Sequence, residues 1–130
     1  MRCNIFRRST ILAFAVTLCA AVALPGAALR AEQGYLQEVS DMPLPAGFTE
    51  DADAGVAFDK PEGRIVEAEV HGPMGPGEVL GFYRKTLPQL GWTASGPAGA
   101  MTWRREGESL RLDIAARGGE TVVRFHIAPQ

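Results

Sequence analysis

The apolar residues of this chain recur at two spacings, and a single stretch carries the longer one. From Glu78 to Trp92 (E-V-L-G-F-Y-R-K-T-L-P-Q-L-G-W), steps of about 100° per residue bring Val79, Tyr83, Leu87 and Leu90 to one side. Gly81, Arg84, Lys85, Pro88 and Gln89 fall on the other side, with Leu80 and Phe82 at the margins. The spacing predicts a helix with one buried face. Gly75-Pro76 marks its start, because proline at the first helical position forfeits no hydrogen bond, and Glu78 sets a carboxylate at the positive end of the helix dipole. Gly91 supplies the stop. Pro88 cannot donate to the carbonyl of Arg84, which predicts a kinked last turn.

The shorter spacing, every second residue, predicts strands on both sides of that helix. Val56 and Phe58 alternate with Ala57 and Asp59, the turn signal Lys60-Pro61-Glu62-Gly63 follows, and Val66, Ala68 and Val70 share one face of the stretch from Arg64 to His71. This is a hairpin. After the helix, Met101 and Trp103 flank Thr102, and the turn Glu106-Gly107-Glu108 leads into Leu110, Leu112, Ile114 and Ala116, which alternate with Arg111, Asp113 and Arg117. Gly118-Gly119 is a tight-turn pair before Val123, Phe125 and Ile127, which alternate with Arg124 and His126. The expected order is β-β-α-β-β-β, with no internal repeat. An apolar stripe laid over one apolar sheet face makes the fold class α+β: a two-layer domain over residues 55–130, one helix packed on a five-stranded antiparallel sheet. Phe58, Phe82, Tyr83, Trp92, Trp103 and Phe125 are its expected core aromatics.

Residues 32–54 show no sustained period. Tyr35, Leu36, Val39 and Met42 have weak helical spacing, which Met42-Pro43-Leu44-Pro45-Ala46-Gly47 cuts short, so an extended, acidic, turn-rich lead-in is expected. Residues 1–31 read as a secretory signal peptide: Arg2, Arg7 and Arg8 precede an uncharged run from Ile11 to Leu24, Pro25-Gly26 breaks it, and small residues lead to a cleavage point after Ala31. The run is shorter than the roughly 20 residues of a membrane span, although an uncleaved anchor reaching Leu29 is the alternative. Leu18 stands before Cys19 where a lipidation site needs a small residue. The expected location is periplasmic or secreted.

Removing this segment changes the composition. Cys3 and Cys19 both lie inside it, so a mature chain from Glu32 to Gln130 has no disulfide, no cysteine-type zinc site and no thiol nucleophile. What remains suits one compact domain and is too short for two. The segment also removes four basic residues and no acidic ones, leaving nine basic against fifteen acidic, a net charge of −6. Nucleic acid is an improbable partner for such a chain. The charge is uneven, with eleven acidic and two basic residues from Glu32 to Glu78, and four acidic and seven basic from Val79 to Gln130. Complementary surfaces within one domain account for this, and a basic docking patch is the alternative.

Chemistry-bearing residues are few. The sheet's second face is expected to be polar, with Glu67, Glu69 and His71 from one strand and Arg111, Asp113, Arg117, Arg124 and His126 from others. Glu67, Glu69, His71 and His126 can converge on a divalent metal if their strands adjoin, yet no ligand spacing is diagnostic, and cross-strand ion pairing of glutamates with arginines is the favoured reading. Glu50, Asp51 and Asp53 lack the glycine and terminal glutamate of a calcium loop and read as a solvated turn. Ser40, Ser95 and Ser109 sit in no nucleophile-elbow context, and Gly72-Pro73-Met74-Gly75-Pro76-Gly77 lacks the Gly-Lys-Ser/Thr ending of a phosphate loop. No catalytic residue, metal site or cofactor is expected.

The run Phe82-Tyr83-Arg84-Lys85-Thr86-Leu87-Pro88-Gln89-Leu90-Gly91-Trp92 resembles an F-Y-x-x-x-L-P-x-L-G-W helix motif that recurs in small exported bacterial envelope α+β modules of unassigned function. There a hairpin precedes the helix and a meander follows it. The resemblance spans about Val56 to Ile127 and implies the same fold and compartment; it carries no site residue across, because those modules have no agreed active site. The expected function is therefore a non-enzymatic exported binding or accessory domain whose partner is another envelope protein, docked on an exposed strand edge or on the mixed-charge face of Glu67, Glu69, His71, Arg111, Arg124 and His126. Two alternatives stand beside it: a small-ligand carrier with a pocket near Tyr83, Trp92 and Trp103, and a metal-dependent hydrolase on the polar face.

Overall fold

The helical stretch forms an α-helix, α1 (Pro76–Thr86), in the computed structural model, which describes residues 33–97 and 99–130; the expected signal peptide, residues 1–31, lies outside them. Gly75 is the N-cap, extended at φ −63° and ψ 152°, and its N–H donates to the Glu78 carboxylate at 3.0 Å. Val79 and Tyr83 are buried, as the phase predicts. Pro88 does not kink the helix. The missing N–H instead ends it, and the chain tightens into a 3₁₀ turn, Leu87–Leu90. Gln89 Nε2 donates to the carbonyl of Lys85, and with Gly91 in the left-handed conformation at φ 84°, its own N–H and that of Trp92 turn back onto the carbonyls of Pro88 and Leu87. Among the described residues no helix is long and apolar enough to cross a membrane.

The strands are β1 (Thr49–Glu50), β2 (Val56–Lys60), β3 (Gly63–Gly72), β4 (Thr93–Ala94), β5 (Thr102–Arg105), β6 (Glu108–Arg117) and β7 (Glu120–Pro129), all paired antiparallel in the order β1-β3-β7-β6-β5-β4. The sheet has seven strands, where five are expected from the alternation. The two additional ones, β1 and β4, are two residues long and too short to display a period. β2 pairs with the other end of β3, so β1 and β2 lie along one edge, with the loop 51–55 between them.

One face of this sheet is covered. Val66, Ala68 and Val70 of β3, Leu110 and Leu112 of β6, Trp103 of β5, and Val123, Phe125 and Ile127 of β7 are all buried there, and Tyr83 meets Phe125 edge-on at 5.6 Å. Adjacent strands are about 4.8 Å apart and a helix is about 10 Å across, so α1 spans roughly two strands of a sheet six strands wide. The segment before β1 supplies further cover. It closes on itself as a loop, with Leu36 N–H bonded to the Met42 carbonyl and Leu44 N–H to that of Gly34, and Leu36, Val39, Met42, Leu44 and Phe48 all belong to the hydrophobic core. Tyr83 Oη donates to the Pro43 carbonyl at 3.2 Å, Arg64 to that of Glu38 at 2.9 Å, and Arg105 pairs with Asp41. The lead-in is thus part of the packed unit. Gly72 is tied to it as well, because a Cβ there would overlap the ring of Phe48.

Phe58 is not a core residue, contrary to expectation: it is 57% exposed, and Val56 is 40% exposed. The hairpin register explains this. Lys60 pairs with Gly63, which sets Phe58 opposite Ile65 and Val56 opposite Glu67, on the face opposite to Val66, Ala68 and Val70. Phe82 is only partly buried and packs edge-on against Tyr83 at 5.0 Å.

Candidate functional site

Among the described residues no helix lies over the second sheet face, and register orders its side chains. Because paired residues in antiparallel strands point the same way, three rows cross the sheet. Val56, Glu67, His126, Arg111 and Thr102 form one, Glu69, Arg124 and Asp113 the next, and Thr49, His71, Val122 and Ala115 the third. Five of the six expected surface residues therefore share two neighbouring rows. His71 stands apart. It lies four positions from Glu67, the partner of His126, so at about 3.3 Å per residue the two imidazoles are separated by roughly 13 Å along the strand.

Pairing across and along strands fixes the polar heads. Arg124 Nε donates to Glu69 at 2.6 Å, His126 Nδ1 lies 3.2 Å from Glu67 Oε1, and Arg111 donates to Asp113, two residues along its own strand, at 2.8 Å. The hydrogen bond that Arg111 donates to Asp113 pushes the Arg111 pKa upward, and the one that Arg124 donates to Glu69 does the same for Arg124. These side chains are about half exposed, apart from the more buried Glu69, so the pairs are screened and cost little to open. Between them lies an open depression of about 300 Å³, bordered by Ala54, Glu67, Glu69, Arg111, Asp113, Arg124 and His126. Among the described residues, no three of the His, Asp and Glu side chains are grouped to hold a metal ion. The arrangement can meet a surface of mixed charge; it presents neither an activated nucleophile nor a buried acid or base.

The other set of expected site residues, Tyr83, Trp92 and Trp103, is packed tightly, at 0%, 2% and 3% exposure. Burial pushes the Tyr83 phenol well above its ordinary pKa of 10. The helix and sheet part at the opposite end of α1, where Pro76, Gly77, Leu80, Met101 and Ile114 border an apolar hollow of about 190 Å³.

Sequence reasoning missed the apolar corner of the open face, formed by Val56 and Phe58 on β2 with half-buried Ile65 beside them. Its signal lay in the turn. Two residues between Lys60 and Gly63 fix the hairpin register, and the inward set Val66, Ala68 and Val70 then forces Phe58 outward. No family model matches the chain, and no similar curated protein or solved structure was found.

Proposed function

We propose that this chain is an exported, non-enzymatic accessory module of a bacterial envelope, periplasmic or secreted, that docks another envelope protein through the open face and free edge of its sheet. The observation that carries this reading is the asymmetry of the sheet. One face is buried under α1 and the lead-in, whereas the other leaves Phe58 and Val56 exposed beside the rows of Glu67, Glu69, Arg111, Arg124 and His126. Large apolar side chains kept in water next to satisfied but weakly held charges suit an interface core with a polar rim. The resemblance of the helix motif to small envelope modules and the sequence of residues 1–31 support the compartment.

The test places a photo-crosslinking residue at Arg111, on the open face, and separately at Gln89, on the solvent side of the 3₁₀ turn, in the tagged full-length chain within the envelope. The expected result is one abundant adduct from position 111 and none from 89, with an N-terminus near Glu32. Equal labelling from both positions, or none, would sink the docking reading. The apolar hollow bordered by Leu80, Met101 and Ile114 favours a second reading, a small-ligand carrier. That reading requires an apolar fluorescent probe to bind the full chain and Ile114→Trp to displace it; unchanged binding by the variant removes it.

A further inference from the structure

β2 is bonded to β3 on one side only, and among the described residues nothing pairs with its outer edge. Its five residues are all exposed, and none is a proline, so its alternate N–H and C=O groups are a template for another strand. We infer, building on the docking reading above, that this edge takes an extended segment of alternating cationic and apolar residues from the partner protein.

The alternation follows from the two faces of β2. Val56 and Phe58 point to the open face, where an added strand would meet them with apolar side chains. Ala57 and Asp59 point to the other face, where its intervening side chains would meet a carboxylate. The charge around the edge is mainly negative: residues 49–62 hold Glu50, Asp51, Asp53, Asp59 and Glu62 against Lys60, a net of −4, with Arg64 of β3 opposite Asp59. None of these five carboxylates is in an ion pair among the described residues, whereas on the next strand Glu69 is paired with Arg124 and Glu67 lies 3.2 Å from the His126 imidazole. Self-pairing is disfavoured by the same count, because two copies joined through β2 would bring −4 against −4 within a Debye length of about 8–10 Å. The opposite edge of the sheet, β4, is two residues long and offers no comparable template.

The test uses protein purified from cells expressing the full chain and three capped heptapeptides: alternating lysine and valine, the same with glutamate for lysine, and the lysine peptide with every main-chain nitrogen methylated. Titration at low salt is expected to show the lysine peptide binding at least tenfold tighter than the glutamate peptide. Raising the salt should weaken it severalfold, N-methylation should cost at least tenfold by removing main-chain donors, and Asp59→Lys should do the same while the variant's far-ultraviolet dichroism stays unchanged. Equal affinity for all three peptides, or full binding by the N-methylated one, overturns strand addition. Concentration-dependent dimers that crosslink β2 to β2 also overturn it, in favour of a second copy. If no peptide binds while the Arg111 crosslink still captures its adduct, the cationic-strand inference fails and the docking reading survives.

Discussion

The guanidinium of Arg105 lies over the ring of Trp92, its Cζ 4.4 Å from the ring centroid. The same guanidinium donates to the Leu90 carbonyl at 3.1 Å and pairs with Asp41, so one side chain on β5 fastens the end of the 3₁₀ turn and the lead-in together. Because Arg105 is only 17% exposed, its stacking and hydrogen bonds act in a poorly hydrated setting. Arg105→Ala is expected to lower stability by about 3 kcal/mol. Asp41 is half exposed, and Asp41→Ala should cost only about 1 kcal/mol or less. Urea denaturation of both variants checks this: equal losses would mean that the ion pair, and not the stack, does the fastening. Arg105→Lys keeps the charge without the planar fork and should recover less than half of the loss.

Gly72 and Phe48 are matched in the same way. Gly72 closes β3 at the point where the Phe48 ring crosses it, and any side chain there must displace that ring. Gly72→Ala is expected to cost about 2–3 kcal/mol through overpacking, and Phe48→Ala about 3 kcal/mol through the cavity it leaves. Since one change makes room for the other, the double variant should lose clearly less than the sum, by at least about 1 kcal/mol. Additive losses in thermal or urea unfolding would show that the two residues do not share this space.

The lead-in gives a sharper expectation about where the folding unit begins. Leu36, Val39, Met42, Leu44 and Phe48 are each under 9% exposed. At about 2 kcal/mol for each buried side chain, they contribute on the order of 10 kcal/mol gross, comparable with the whole net stability of a small domain. A chain starting at Gly55 should therefore be unfolded or molten by near-ultraviolet dichroism and amide exchange, and one starting at Gln33 should fold. A cooperative unfolding transition from the shorter chain would contradict the packing described here.

How much of this was legible depended on length and on register. The helix and the five longer strands announced themselves because four or more residues display a period, and the open face with Glu67, Glu69, Arg111, Arg124 and His126 followed from the same alternation. β1 and β4 escaped because two residues carry none. The packing of the lead-in has no local signal for a different reason: Leu36, Val39, Met42 and Leu44 enter the core from a loop whose Glu38 and Pro43 carbonyls accept from the distant side chains of Arg64 and Tyr83, and no local spacing reports those. The hydrophobicity of Phe58 points inward, whereas the two-residue turn at Pro61-Glu62 sets the register that turns it outward. Nothing local in Trp103-Arg104-Arg105 separates the clamped Arg105 from a solvated arginine.

Tyr83 offers a test that reads burial and hydrogen bonding separately. Its phenol sits in the core at 0% exposure and donates to the Pro43 carbonyl at 3.2 Å. Desolvation disfavours the phenolate, so the folded-state pKa lies above the ordinary value of 10.0, which the unfolded chain retains. Below pH 10 both states keep the proton and stability does not depend on this group. Above it the unfolded state alone releases the proton, so stability falls by about 1.4 kcal/mol per pH unit until the folded-state pKa is passed. Tyr83→Phe removes that slope, and it also strands the Pro43 carbonyl, at a cost of about 1–2 kcal/mol near neutral pH. The two stability curves, measured by urea denaturation from pH 7 to 11.5, should lie apart at pH 7 and converge above pH 10 as the native protein loses its advantage. Curves that stay parallel through pH 11.5 would mean that Tyr83 ionises in the folded state as readily as in the unfolded one, and that the core around Phe125 and Pro43 admits water.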